Sequence, residues 1–152
     1  MENKLTKEDK ELLVKDLTAR LPYAVTVEHT NTGMRGTLRD MVVYPTYNED
    51  DTVKDYICTT NFFGDDDYFY IEYFKPYLFP LSSMTEEQKE SCCVEKSIID
   101  AFIIGSISLF EDESLSVNDI LNLFDWLNKN HFDYRGLIEK GLALDATDKN
   151  IY

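Results

Sequence analysis

The hydrophobic period of this chain changes at Pro22, and that change dictates a mixed fold. Upstream, Leu13, Leu17 and Leu21 fall on one helical stripe with Leu12 beside it, and Thr6 with Asp9 has the form of an N-terminal cap. The spacing predicts a helix over 7–20. Pro22 ends it, because proline supplies no N–H and crowds the preceding turn. Downstream, Tyr23, Val25 and Val27 alternate with Ala24, Thr26 and Glu28, which is the period of a strand.

The strand pattern then repeats. Thr30-Asn31-Thr32-Gly33 is a turn signal, 34–44 reads as the returning strand, and Gly36 within it marks a bulge or bend. A loop is expected over 45–51, a third strand over 53–60, a turn around Gly64, and a fourth strand over 68–73. Four short antiparallel strands suit a curled sheet or a small SH3-like barrel. Pro76 and Pro80 mark 75–81 as an irregular crossing segment.

Helical signals return after that. Ser83 with Glu86, and Thr85 with Gln88, are capping boxes in alternative registers ahead of a helix over 85–99. The β-branched residues Ile98, Ile99, Ile103, Ile104 and Ile107 leave 100–110 open between helix and strand. Ser116 with Asp119 opens a helix running to about residue 130, whose buried stripe is Ile120, Phe124 and Leu127, and 135–140 adds one more turn. The fold class is therefore α+β: one domain over 1–152, with a helix at 7–20, a sheet over 23–73 and two or three helices within 85–140.

A chain of 152 residues that is 43% hydrophobic can fold around its own core, burying roughly 68–70% of its unfolded surface. No run reaches the roughly 18 apolar residues of a membrane helix, and the N-terminus lacks the apolar centre of a signal peptide. A cytoplasmic, non-membrane protein is expected. Three cysteines, Cys58, Cys92 and Cys93, two of them adjacent, argue for reduced thiols. The net charge of −14 is uneven: residues 1–39 carry seven basic and six acidic side chains, residues 40–152 eight and twenty-three. Such a field disfavours direct nucleic-acid binding and attracts a basic protein partner.

Two segments, Lys75-Pro-Tyr-Leu-Phe-Pro-Leu-Ser-Ser-Met-Thr-Glu-Glu87 and the stretch 125–144 beginning Asp125-Trp-Leu-Asn-Lys-Asn-His, resemble a family of small acidic proteins encoded by gut bacteria, their phages and mobile elements. The opening Thr6-Lys-Glu-Asp-Lys-Glu-Leu-Leu and Ala19-Arg-Leu-Pro-Tyr23 fit the same family. That family has no assigned activity, so the resemblance implies an accessory-element setting and transfers no catalytic residue.

Chemistry-bearing residues are sparse. His131, Asp133, Tyr134 and Arg135, with Trp126 nearby, form the densest cluster. A catalytic reading makes His131 a general base oriented by Asp133. A structural reading has His131 at a helix C-terminus, Asp133 capping the next turn and Arg135 paired with a carboxylate. Cys92 and Cys93, expected two turns inside a helix between Glu90 and Glu95, lack the positive surroundings a nucleophile needs. His29 and His131 are too far apart in sequence for a zinc motif. The acidic clusters at 49–51, 65–67 and 111–113 miss the EF-hand spacing, so no metal or other cofactor is nominated.

The tyrosines say more. Eight of ten lie between residues 23 and 77. Tyr68 and Tyr70 share one strand face opposite Phe69 and Ile71, and rings beside acidic loops suit a groove for basic or proline-rich peptides. The chain therefore reads as a non-enzymatic interaction protein with an acidic surface. The alternatives are a peptide-binding module on the tyrosine-rich sheet, a nucleic-acid mimic from a mobile element, or a small enzyme using His131 and Asp133.

Overall fold

A computed structural model of the chain describes residues 4–61, 68–106 and 108–152. The expected turn around Gly64, with Asp65, Asp66 and Asp67, lies outside the described residues.

Helix α1 runs Lys7–Arg20 behind a complete capping box: the Thr6 hydroxyl accepts from the Asp9 N–H, and the Asp9 carboxylate accepts from the Thr6 N–H. Pro22 lies in a single 3-10 turn, Leu21–Tyr23, that ends on Ala24 with φ 56°. Leu13 and Leu17 are fully buried against Val25, Val27, Cys58, Phe74 and Leu78.

The strands do not form one four-stranded sheet. β1 (Thr26–His29) pairs antiparallel with β2 (Arg35–Thr37) and with β6 (Phe74–Pro80), while β3 (Asp40–Tyr47), β4 (Val53–Asn61) and β5 (Phe69–Tyr70) make a second, three-stranded sheet. Among the described residues no ladder joins the two and none closes a small barrel. The predicted strand over 34–44 divides at Leu38 and Arg39, just beyond Gly36, and this division sends its two halves into different sheets. Leu38 is buried, and its N–H bonds to the Val25 carbonyl at the fork.

Both proline-based expectations need correction. The segment 75–81, expected to be irregular, is for all but its last residue part of β6, the central strand of the first sheet. Pro76 faces Val27 of β1, whereas pairing on the other side starts only at Tyr77, with β8 (Leu144–Asp145), and at Phe79, with β7 (Phe132–Asp133). The missing N–H groups thus fall where the ladders are short or ending. Likewise Pro45, placed in a loop by the sequence, pairs with Tyr56 in β3, an edge strand that tolerates a lost donor. The fourth strand shrinks to two residues because Ile71–Tyr73 curls into a 3-10 turn.

The predicted helix over 85–99 is two helices, α2 (Glu86–Ser91) and α3 (Lys96–Ile103). The Thr85–Gln88 box is the register used. Cys92 is extended at φ −70°, ψ 155°, and Glu95 stands as the N-cap of α3, so the cysteines lie in the break and not inside a helix. The Ser91 hydroxyl donates to the Gln88 carbonyl, competing with the backbone at the point where α2 stops. The open stretch 100–110 begins as helix. It then turns at Gly105, whose φ of 71° no helix continues through. Helix α4 (Val117–Lys129) has the expected Ser116–Asp119 box and packs Ile120, Leu123 and Leu127 into a second core with Ile99, Leu109 and Phe132. No helix among the described residues is long and apolar enough to cross a membrane.

Candidate functional site

The seven residues singled out from sequence divide between two places. Trp126, His131, Asp133, Tyr134 and Arg135 gather where α4 meets β7, and Tyr68 and Tyr70 lie by the three-stranded sheet.

At the first place the geometry is that of a structural network. His131 follows α4 in the left-handed conformation, φ 60°, and its N–H bonds to the Asn128 carbonyl while its own carbonyl accepts from Phe79. Its ring stacks on Tyr152 with centroids 3.8 Å apart. The Tyr152 hydroxyl donates to the Tyr77 carbonyl (2.7 Å) and accepts from the Thr26 N–H (3.1 Å), so this ring ties the end of α4 to β1 and β6. Burial pushes that hydroxyl up to about 12. Asp133 gives both carboxylate oxygens to backbone, accepting from Leu137 N–H (3.0 Å) and Ile138 N–H (2.8 Å). It caps the turn after β7. No hydrogen bond runs from it to His131, whose Nδ1 is buried without a partner. The base–orienter contact of a catalytic pair is therefore missing.

The rest of the cluster is equally committed. Trp126 stacks on Phe132 at 5.7 Å, and the Tyr134 hydroxyl donates to Asn128 Oδ1. Arg135 Nε sits 3.4 Å from Asp16, which is itself bidentate with Arg20 (2.8 and 3.1 Å). Arg20 and Asp16 are both fully buried, and Arg20 also donates to the Phe132 carbonyl at 2.7 Å. Sequence reasoning missed this ion pair, because an (i, i+4) Asp–Arg pair ordinarily marks a solvated helix face.

Burial, and secondarily the Arg20 charge, pull the His131 imidazole down to about 4. The sign follows: between pH 6.5 and pH 4 the unfolded chain takes up a proton that the folded one refuses, so this residue's contribution is intact above 6.5 and is lost as pH falls through the window. On the order of 3 kcal/mol of stability should disappear there. In urea unfolding at pH 7.5 and 4.5, His131→Asn, which tolerates the left-handed backbone, should flatten that part of the slope.

At the second place a sheet face lies bare. Opposed residues share a face, and the register sets Tyr44 against Ile57, and Thr59 between Val42 and Tyr70. Val42, Tyr44, Ile57 and Tyr70 are between 38% and 56% exposed, and Tyr68 and Tyr47 are similarly open. The reverse face carries Cys58 and Thr60, both buried, with Cys58 in the core beside Leu13 and Leu17 of α1; burial holds its thiol up at about 11. The core thus takes the reverse side at Cys58 and Thr60 but leaves Val43 there 36% exposed, while the open side meets α1 only at its margin, where Lys10 reaches Asp55.

Acids flank the bare face. The β3–β4 turn is closed by Asn48 N–H to the Thr52 carbonyl (2.7 Å), with Asp51 at φ 63°. Asp50 accepts from the Thr52 hydroxyl and N–H, and these bonds hold its carboxyl below the ordinary range. Asp55 is held low chiefly by the Tyr56 N–H, with Lys10 3.5 Å away. Among the described residues no three His, Cys, Asp or Glu side chains come together as a metal site.

No family model, curated protein or solved structure matches this chain.

Proposed function

We propose that the chain is a protein-interaction module that docks a basic, extended segment of a partner protein across the open face of the β3–β4–β5 sheet. The observation that carries this reading is the patch formed by Val42, Tyr44, Ile57 and Tyr70, in a sheet whose opposite side is buried at Cys58 and Thr60. Solvent-exposed aromatic and branched side chains on a common face are the usual anchors of an interface, where tyrosine adds large contact area at low entropy cost.

Charge selects the occupant. Among the described residues of 40–70, five acidic side chains, Asp40, Glu49, Asp50, Asp51 and Asp55, stand against one basic, Lys54. Arginine and lysine pair with such carboxylates and also lie favourably over tyrosine rings. The outer edge of β3 is unpaired among the described residues, which suits an extended segment lying alongside it. The acidic surface and the tyrosine-rich sheet, separate readings of the sequence, become one site.

The test is fluorescence anisotropy with a labelled peptide alternating Arg and Val. Binding should weaken with salt, as exposed charge pairing is screened. Tyr44→Ser with Tyr70→Ser should lower affinity by about tenfold or more. Leu121→Ser, on the exposed side of α4, should leave it unchanged, and a peptide with Glu in place of Arg should not bind. Equal affinity of the double variant and the parent would overturn the proposal.

A further inference from the structure

A second concavity, a groove, meets the Ile57–Tyr70 edge of the sheet only at Lys4 and Glu72. It has a volume of about 860 Å³ and opens between the start of α1, the β1–β2 turn, the beginning of β6 and the turn before β8. That size is within the roughly 300–1,000 Å³ typical of small-molecule sites.

Its lining runs against the charge of the chain. Lys4, Lys75 and Lys140 converge on it from three separate parts of the sequence. None of these ammonium groups takes part in the ion pairs found among the described residues, which engage Lys7, Lys10, Lys89, Lys96 and three arginines instead. Two carboxylates also border the groove, and both are occupied. Asp9 accepts from the Thr6 N–H and hydroxyl in the capping box, and Glu72 pairs with Lys10 at 3.7 Å. Three unpaired cations around one concavity repel one another, and in a chain of net charge −14 they stand out from an otherwise negative field. An anion bound among them removes that repulsion.

The walls define the rest of the ligand. Leu5, Tyr73 and Leu142 give the groove an apolar side, and the Tyr73 ring is held in place by stacking on His29 at 5.6 Å. His29 is in turn fixed by edge contacts with Phe69 and Phe74 and by accepting the Asn31 N–H at Nδ1. The aromatic wall is therefore preorganised, which lowers the ordering cost of binding.

We infer that this groove is a binding site for a small organic anion with an aromatic or apolar body, its carboxylate, sulfonate or phosphate head held by Lys4, Lys75 and Lys140. Macromolecular polyanions are disfavoured, since the negative surface beyond the rim repels any charge that extends past the groove.

The probe is 8-anilinonaphthalene-1-sulfonate, whose fluorescence reports entry into an apolar site. The folded protein should bind it saturably at one site, and phenyl phosphate should displace it. Lys75→Gln with Lys140→Gln should weaken binding by about tenfold or more, since each removes a charge-assisted contact. The Tyr44→Ser, Tyr70→Ser variant should bind normally, separating this site from the sheet face. Unchanged affinity in the double lysine variant, or equally tight binding of the uncharged N-phenyl-1-naphthylamine, would overturn the inference. Unfolding midpoints in urea for the lysine variant, expected to match the parent, exclude loss of the fold as the cause.

Discussion

Asp16→Asn should destabilise the protein by about 3–5 kcal/mol, a large fraction of the roughly 5–15 kcal/mol that holds a domain together. The Arg20 guanidinium has no access to water and depends on Asp16 for two of its hydrogen bonds. Asparagine keeps the shape of the aspartate but not its charge, so it leaves a buried cation whose nearest compensation is gone. Arg135, 3.4 Å from the same carboxylate, then becomes a repelling neighbour of Arg20. The urea midpoint at pH 7 should fall sharply with little change in slope. Replacing the pair together, Asp16→Leu with Arg20→Met, should recover much of the loss, because an apolar pair carries no desolvation cost. The recovery should be incomplete, since Arg20 also satisfies the Phe132 carbonyl.

Phe132→Ala should cost about 3–5 kcal/mol. Its ring is fully buried in the second core, stacked on Trp126 and tilted against Phe79 at 6.2 Å. Truncation removes that packing and leaves a cavity between α4 and β6 that the paired strand cannot close. Trp126 is the single tryptophan of the chain, so its emission reports this core directly. Emission should shift to the red in the folded variant, as water reaches the indole. Circular dichroism and tryptophan emission should nevertheless give one midpoint, because the Arg20–Phe132 bond couples this core to the one under α1. Two separated transitions would mean that the cores unfold independently.

The elements legible in the sequence are those with local causes. Thr6, Thr85 and Ser116 each start a helix through a capping box that needs only residues three apart, and Pro22 ends α1 by chemistry of its own. What was not legible depends on partners distant in sequence. β6 carries two prolines and reads as irregular. It is a strand because β1 supplies one side and the two-residue strands β7 and β8 supply the other, and strands that short leave no period. The break at Cys92 had only a weak local mark in Ser91.

The sites follow the same rule. Alternation alone put Tyr68 and Tyr70 together, but Val42, Tyr44 and Ile57 join them only through the β3–β4 register. The structural reading of Asp133 and Arg135 rested on cap and ion-pair chemistry, and both groups now have those partners. The lysine groove draws on residues 4, 75 and 140, which no pattern in the sequence connects.

The measurement that bears most directly on the docking surface is an amide chemical-shift map of the isotopically labelled protein titrated with the Arg–Val peptide. The account predicts saturable shifts concentrated at Val42, Tyr44, Ile57, Thr59 and Tyr70, with those near Leu121, Lys75 and Lys140 unmoved. Shifts spread evenly over the carboxylates of the whole surface, or centred anywhere other than the β3–β4–β5 face, would contradict it.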